Sequence, residues 1–439
     1  MTLESYRTAE RVRRGVGQLY RDVEQLKRRP GAIIGGPFAD RIHDHTFVGE
    51  GPFWYNYLID DSYAGLGPEG KVLPTLHGHT YKVYSTIPGA VSDANTNRQA
   101  VGQSSSFLIC EGIYTINSGI TNNPPNSGSY HFYGTGQGSE IRPGADPITI
   151  FTNAPLVIQS QVSYHDLYFN AAGQSGVTFL DYGGSVRGLV DHCILNTSAG
   201  GLAIAPGNGA VGLLVSNCNI QGSGRGIGGF FELECFIVNN VFESGMDIGI
   251  DLDNCAHFLV VGNKFDQLDT AIRFRANAFI SNVVISGNII ELGSASVGIK
   301  FDAGLNIQAA IAISGNDFSN IGDGSVGIDF NLATLASAVI RGISISGNTF
   351  HGGGDFSTGI GIRGGMGVYQ CIISNSAFHR FPAGNEIVNW AGNGNEAMHN
   401  ISSRDISGVS TKQPLADIGN PVGHSLAISG QQAQSLPVR

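Results

Sequence analysis

Asp251 and Asp253, Arg273 and Arg275, Lys300 and Asp302, Asp329 and Asn331, and Gly361 and Arg363 form a series of pairs, each separated by one residue. Residues two apart on an extended strand share a face, so each pair points one way. Asp251 and Asp253 would then stand about 6.5–7 Å apart. Inverting glycoside hydrolysis uses carboxyls roughly 6.5–9.5 Å apart, one protonated as acid and one ionised as base. Asp302, at about 9–10 Å from Asp253 if strands stack two deep, is a further partner. Asp251, Asp253 and Asp302 are therefore the catalytic candidates. Arg273, Arg275, Lys300, Asp329 and the spaced acids Glu232 and Glu234 of Phe-Glu-Leu-Glu-Cys-Phe are the substrate-binding candidates. Guanidiniums there would hold sugar carboxylates or hydroxyls, but would also favour ionisation of nearby aspartates, which is awkward for a general acid.

Two other readings use the same residues. The plainer one is a ladder of opposite charges on adjacent turns that offsets its own repulsion and does nothing more. The other is a calcium-dependent lyase, with Asp251 and Asp253 on the metal and Arg273 or Arg275 as base. No further Asp completes that cluster, so neither a metal nor a cofactor is assigned. His43/His45 and His77/His79 are His-x-His pairs that could meet around a metal in a three-chain assembly, although ordinary polar surface explains them as well.

These charges lie on a repeat. Ile250, Ile272, Ile299, Ile328 and Ile360 recur at 22, 27, 29 and 32 residues, each followed two places on by Leu252, Phe274, Phe301, Phe330 or Ile362. A second phrase starts at residues 164, 190, 215, 237, 260, 285, 313, 345 and 373, as in VSNCNI, VVGNKF and ISGNTF. Its intervals track those of the first. Two apolar columns with matched intervals and loops of variable length describe a solenoid with at least two strands per turn. The predicted fold is all-β, a single-stranded, right-handed parallel β-helix. The fourth place of the phrase holds Asn240, Asn263, Asn288, Asn316 and Asn348, which predicts an inward amide ladder at a turn. Glu232 and Glu234 precede this ladder; Ala203, Ala205, Gly226, Gly228 and Gly229 leave room beside the charges for a ligand.

Composition agrees. The chain has 439 residues with 63 glycines, 14% charged and 41% hydrophobic residues, too apolar for disorder and without collagen's strict glycine period. Residues 1–29 carry eight Lys/Arg and four Asp/Glu, leaving a formal charge of −14 on the rest. Such a body repels nucleic acid and anionic membranes. The six cysteines lack zinc spacing and read as small buried hydrophobes. No signal-peptide run or membrane-spanning stretch is evident, which predicts folding in a cytoplasm without membrane insertion.

The ends differ from the body. Ala9, Val12, Val16, Leu19, Val23 and Leu26 alternate at three and four residues, an a/d seam that predicts a self-associating helical coil over 1–30. A helix packed on its own rod is the alternative. Residues 31–90 read as an adaptor around Phe53-Trp54-Tyr55-Asn56-Tyr57, residues 91–395 as the β-helix, and 396–439 as a cap or tail.

The stretch Val91-Ser92-Asp93, Glu111-Gly112-Ile113-Tyr114 and Gly134 to Ile141 resembles the opening turns of the pectin-lyase-like β-helix superfamily, particularly phage tailspikes. The second Asp and the Phe-Pro of that opening are replaced here. The resemblance spans roughly 85–380 and implies a homotrimer, although Val at a and Leu at d alone lean towards two strands. It also implies a virion location, attachment to a tail protein through residues 1–90, and binding of host-surface polysaccharide with or without cleavage. A non-enzymatic adhesive spike and a bacterial polysaccharide lyase are the other functions the sequence leaves open.

Overall fold

The computed structural model describes residues 56–415, apart from segments 66, 75–79, 98–103, 126–127, 154–159, 184–186, 207–211, 232–234, 276–278, 303–305, 308–310, 331–338, 354–357, 366–367, 383, 391–394 and 407–408. The coil over 1–30, the aromatic centre of the adaptor as far as Tyr55, both His-x-His pairs, and Glu232 and Glu234 lie outside the described residues.

Three parallel sheets run through the described chain. The first phrase supplies the first sheet, as in Leu213–Ser216, Cys235–Val238, Ile311–Ser314 and Ile343–Ser346. A turn leads to the second, with Asn219–Gly222, Asp317–Ile321 and Thr349–Gly352. The third holds Leu202–Ala205, Arg225–Phe231, the first part of Ile248–Val261, and Val326–Asp329. Each strand pairs in parallel with its counterpart one turn on, so the three inward faces share one apolar core. Pairing already starts with Tyr57–Ile59 beside Ser104–Ile109 and continues to Glu396–Met398 beside Ile372–Ser374.

The turn between the first two sheets explains the phrase. Its third residue has positive φ in turn after turn, occupied by Asp166, His192, Asn217, Asn239, Gly262, Gly287, Gly315, Gly347, Asn375 and His399. Glycine, Asn and Asp tolerate that left-handed conformation best. The next residue points inward and forms the expected ladder. Asn263, for example, donates its backbone N–H (2.9 Å) and its Nδ2 (3.0 Å) to Asn288 Oδ1, and Nδ2 also reaches the Ile237 carbonyl. Asn400 extends the ladder by accepting from the Ser376 backbone.

Aromatic columns fill the core. Phe274, Phe301 and Phe330 stack at 4.5 and 4.4 Å, while Phe318, Phe350 and Phe378 stack at 4.7 and 4.8 Å. Phe301→Ala removes the middle ring of the first stack and is expected to cost about 3–5 kcal/mol, read from urea denaturation. All six cysteines are free, and five are buried.

Two details differ from the sequence reading. Ile328 pairs with Ile362, not Ile360, which instead lies opposite Val326. The reason is the glycine before Ile299, Ile328 and Ile362. A Cβ at Gly327 would sit 2.6 Å from the Gly361 carbonyl and 2.9 Å from Phe350, and one at Gly298 would meet Gly327 and Phe318 in the same way. This Gly-Ile step pins the register, and Gly359-Ile360-Gly361-Ile362 contains it twice; the second copy is used. Secondly, Val91-Ser92-Asp93, likened to an opening turn, belongs to the helix Ile87–Asn97. Ile87, Ala90, Val91 and Ala94 form its buried stripe, and Thr86 Oγ1 accepts from the Gly89 N–H near its start. No described helix is long and apolar enough to cross a membrane.

Candidate functional site

The register of the third sheet places the charged residues in one line. Asp181 lies opposite Ala205; further along, Gly228 pairs with Asp251, then Arg273, Lys300, Asp329 and Arg363 follow on successive strands. The residues two places on, Asp253, Arg275 and Asp302, flank that line. The structure thus brings Asp251, Asp253, Asp302, Arg273, Arg275, Lys300 and Asp329 onto one face.

Asp251 has no exposed surface. Arg273 grips it with two bonds, Nε to Oδ1 at 2.8 Å and Nη2 to Oδ2 at 2.9 Å. Arg275 donates to the same Oδ2, and Arg225 reaches it from the preceding turn at 3.2 Å. Burial alone would raise this carboxyl's pKa, but hydrogen bonds from Arg275 and Arg273 outweigh it and hold the value at about 2. A proton donor must keep its proton near the working pH. Asp251 is instead a permanently ionised clamp for three guanidiniums.

The surrounding charges are more open. Asp253 lies 3.5 Å from Arg275 and is about a fifth exposed. Asp302 stands 3.3 Å from Lys300 and 3.9 Å from Arg273. Asp329 is paired through both oxygens with Arg363, at 2.8 and 2.6 Å, an ion pair that the register shift at Ile362 makes possible. Hydrogen bonding to Asp329 raises the pKa of Arg363, as bonding to Asp251 does for Arg275. Lys300, 40% exposed, is the most accessible cation of the group. Among the described residues no cluster of His, Cys, Asp or Glu is gathered for a metal ion.

Arg225 was absent from the sequence reading. Its signal was present, because it precedes the Gly-Ile step at 226–227 on the turn before Asp251. Only the register shows that its side chain crosses to the next strand.

The model of the right handed beta helix region matches residues 156–318. The matched turns of the described chain form a right-handed β-helix. No curated protein matches the sequence. Among solved structures, an exopolygalacturonase from Thermotoga maritima is 12% identical, with a TM-score of 0.52 over 75% of this chain and 88% of that one. The tailspike of Escherichia coli bacteriophage HK620, solved with a pentasaccharide, is 13% identical with a TM-score of 0.52. That match covers 74% of this β-helix chain and 63% of the tailspike, less than two thirds of its length. At such identities the likeness is one of fold.

Proposed function

We propose that this β-helix is the shaft of a virion spike, a homotrimer seated on a tail through residues 1–90, whose third sheet binds host-surface glycan. The observation that carries the binding reading is the outward line itself. Arg273, Arg275 and Lys300 offer donors, and Asp253 and Asp302 offer acceptors, beside the small steps at Ala205 and Gly228. Sugar hydroxyls need both kinds of partner, held rigidly, because a preformed site loses little entropy on binding. The pentasaccharide-bound tailspike shares the fold, which supports the choice of ligand.

Asp251 is unsuited to be the proton donor of this face, since it is ionised and sealed. The test is an array of purified capsular and O-antigen polysaccharides probed with the full-length chain. Ala205→Trp, which fills the small step, and Lys300→Ala are each expected to weaken capture at least tenfold without changing the melting temperature. Capture that is unaffected by both substitutions would remove the third sheet from the reading.

A further inference from the structure

The core carries a second set of inward amides, on the third sheet and in earlier turns than the long ladder. Asn122 and Asn153 each end a strand, lie opposite one another and have no exposed surface. Asn122 Nδ2 donates to Asn153 Oδ1 at 2.8 Å and to the Tyr164 hydroxyl at 2.7 Å. That hydroxyl donates in turn to Asn153 Oδ1 at 2.8 Å. Tyr164 reaches the pair across the core from the first sheet, where it lies between Phe132 and Val190.

Asn122 Nδ2 bonds one turn forward, as Asn263 Nδ2 does to Asn288. The next turn has no amide to continue the run. Thr152 pairs with Asp181, so the place after Asn153 falls to Tyr182. A tyrosine hydroxyl stands at the far end of its ring, well beyond where an amide would end. The ring runs towards the start of the first sheet, because a Cβ at Gly188 would come within 2.7 Å of Tyr182 Cε1 and 3.0 Å of Cζ.

Asn153 Nδ2 and the Tyr182 hydroxyl are therefore both sealed in the core and both lack a hydrogen-bond partner among the described residues. Asn122 Oδ1 is unpaired too, but it belongs to the turn before. Leaving a donor buried and unpaired costs its full desolvation, so native cores rarely do it. Burial raises the pKa of Tyr182 well above the ordinary value, and the Tyr164 hydroxyl adds to the rise, which sets the two hydroxyls near one another. Tyr164 accepts one bond and donates one, so a lone pair is left on its oxygen.

We propose that one water molecule is bound inside the rod, bridging Asn153 Nδ2 and the Tyr182 hydroxyl across consecutive turns. Its oxygen accepts from both groups, and one of its hydrogens is donated to Tyr164. A buried water takes roughly two to four polar partners, and this group supplies three. An ion fits less well, since an amide N–H and two neutral hydroxyls carry no net charge to hold it. The bridge ends the polar column. Ala205 lies opposite Asp181, so the next place is Pro206, whose side chain asks for no partner. The site lies within the core and is independent of the glycan reading.

The test melts the full-length wild type beside Tyr182→Phe and adds a crystal structure of the wild type. Tyr182→Phe keeps the ring and deletes only the hydroxyl, so the variant is expected to fold. A bridged hydroxyl stabilises the core, and its removal should lower the melting temperature by about 2 °C. An unbridged one is a burden, and its removal would leave the melting temperature unchanged or raise it. The crystal is expected to show a water within hydrogen-bond distance of both Asn153 Nδ2 and the Tyr182 hydroxyl. A melting temperature that holds or rises in Tyr182→Phe overturns the site. So does a crystal in which those two groups bond directly to protein atoms, or lie dry.

Discussion

Asp251→Asn is expected to destabilise the β-helix by about 3–5 kcal/mol, the usual cost of leaving buried charges without their counter-ion. The substitution removes the one anion that Arg225, Arg273 and Arg275 share, at a position with no exposed surface. Asp253→Asn, which is partly exposed and loses one long contact at 3.5 Å, should change stability by no more than about 1 kcal/mol. Urea denaturation of the two variants side by side gives the comparison. Equal stabilities would mean that the three arginines find other partners and that the clamp is not structural.

The same carboxylate sets an acid limit. Its pKa is about 2 in the folded chain, against an ordinary 3.8. A depressed pKa means that the folded state binds the proton less readily than the unfolded chain. Its stabilisation, about 2 kcal/mol, is therefore complete above pH 4 and disappears as pH falls through 2. In Asp251→Asn the loss of stability between pH 4 and pH 2 should be smaller than in wild type.

Asn288→Ala carries the other large effect. Asn288 Oδ1 accepts two bonds from Asn263, and Nδ2 donates to the Val260 carbonyl at 3.0 Å and to Asn316 Oδ1 at 2.9 Å. Alanine leaves several buried polar groups unpaired, at about 1–3 kcal/mol each, so a loss of about 3–5 kcal/mol is expected after partial relaxation. Position matters more than residue type. Leu167, Cys193 and Cys218 occupy the same inward place on earlier turns, where the thiols make only weak contacts to carbonyls, as Cys218 Sγ does to Val190 and Ser216. Cys218→Ala should thus cost clearly less than Asn288→Ala. Similar losses for the two would show that the amide ladder contributes nothing beyond filling space.

The columns were legible in the sequence because inward positions admit few residue types. Isoleucine, phenylalanine and asparagine recur there whatever the loop length. The last register was misread because Gly359-Ile360-Gly361-Ile362 offers two identical steps, and only packing against Phe350 and Phe378 selects between them. The charged line was visible as residue types, and Arg273 and Arg275 already argued against a general acid beside them; the complete burial of Asp251 was not visible. Arg225, which lies 26 residues away and on another strand, adds a third guanidinium that residue types alone did not reveal.

The most direct measurement of the central claim is a crystal structure of the full-length chain with an oligosaccharide cut from the captured polysaccharide. The account expects sugar density along the third sheet, over Ala205 and Gly228, with hydroxyls within hydrogen-bond distance of Lys300 and of Arg273 or Arg275. An oligosaccharide that binds firmly while leaving that line bare would contradict it.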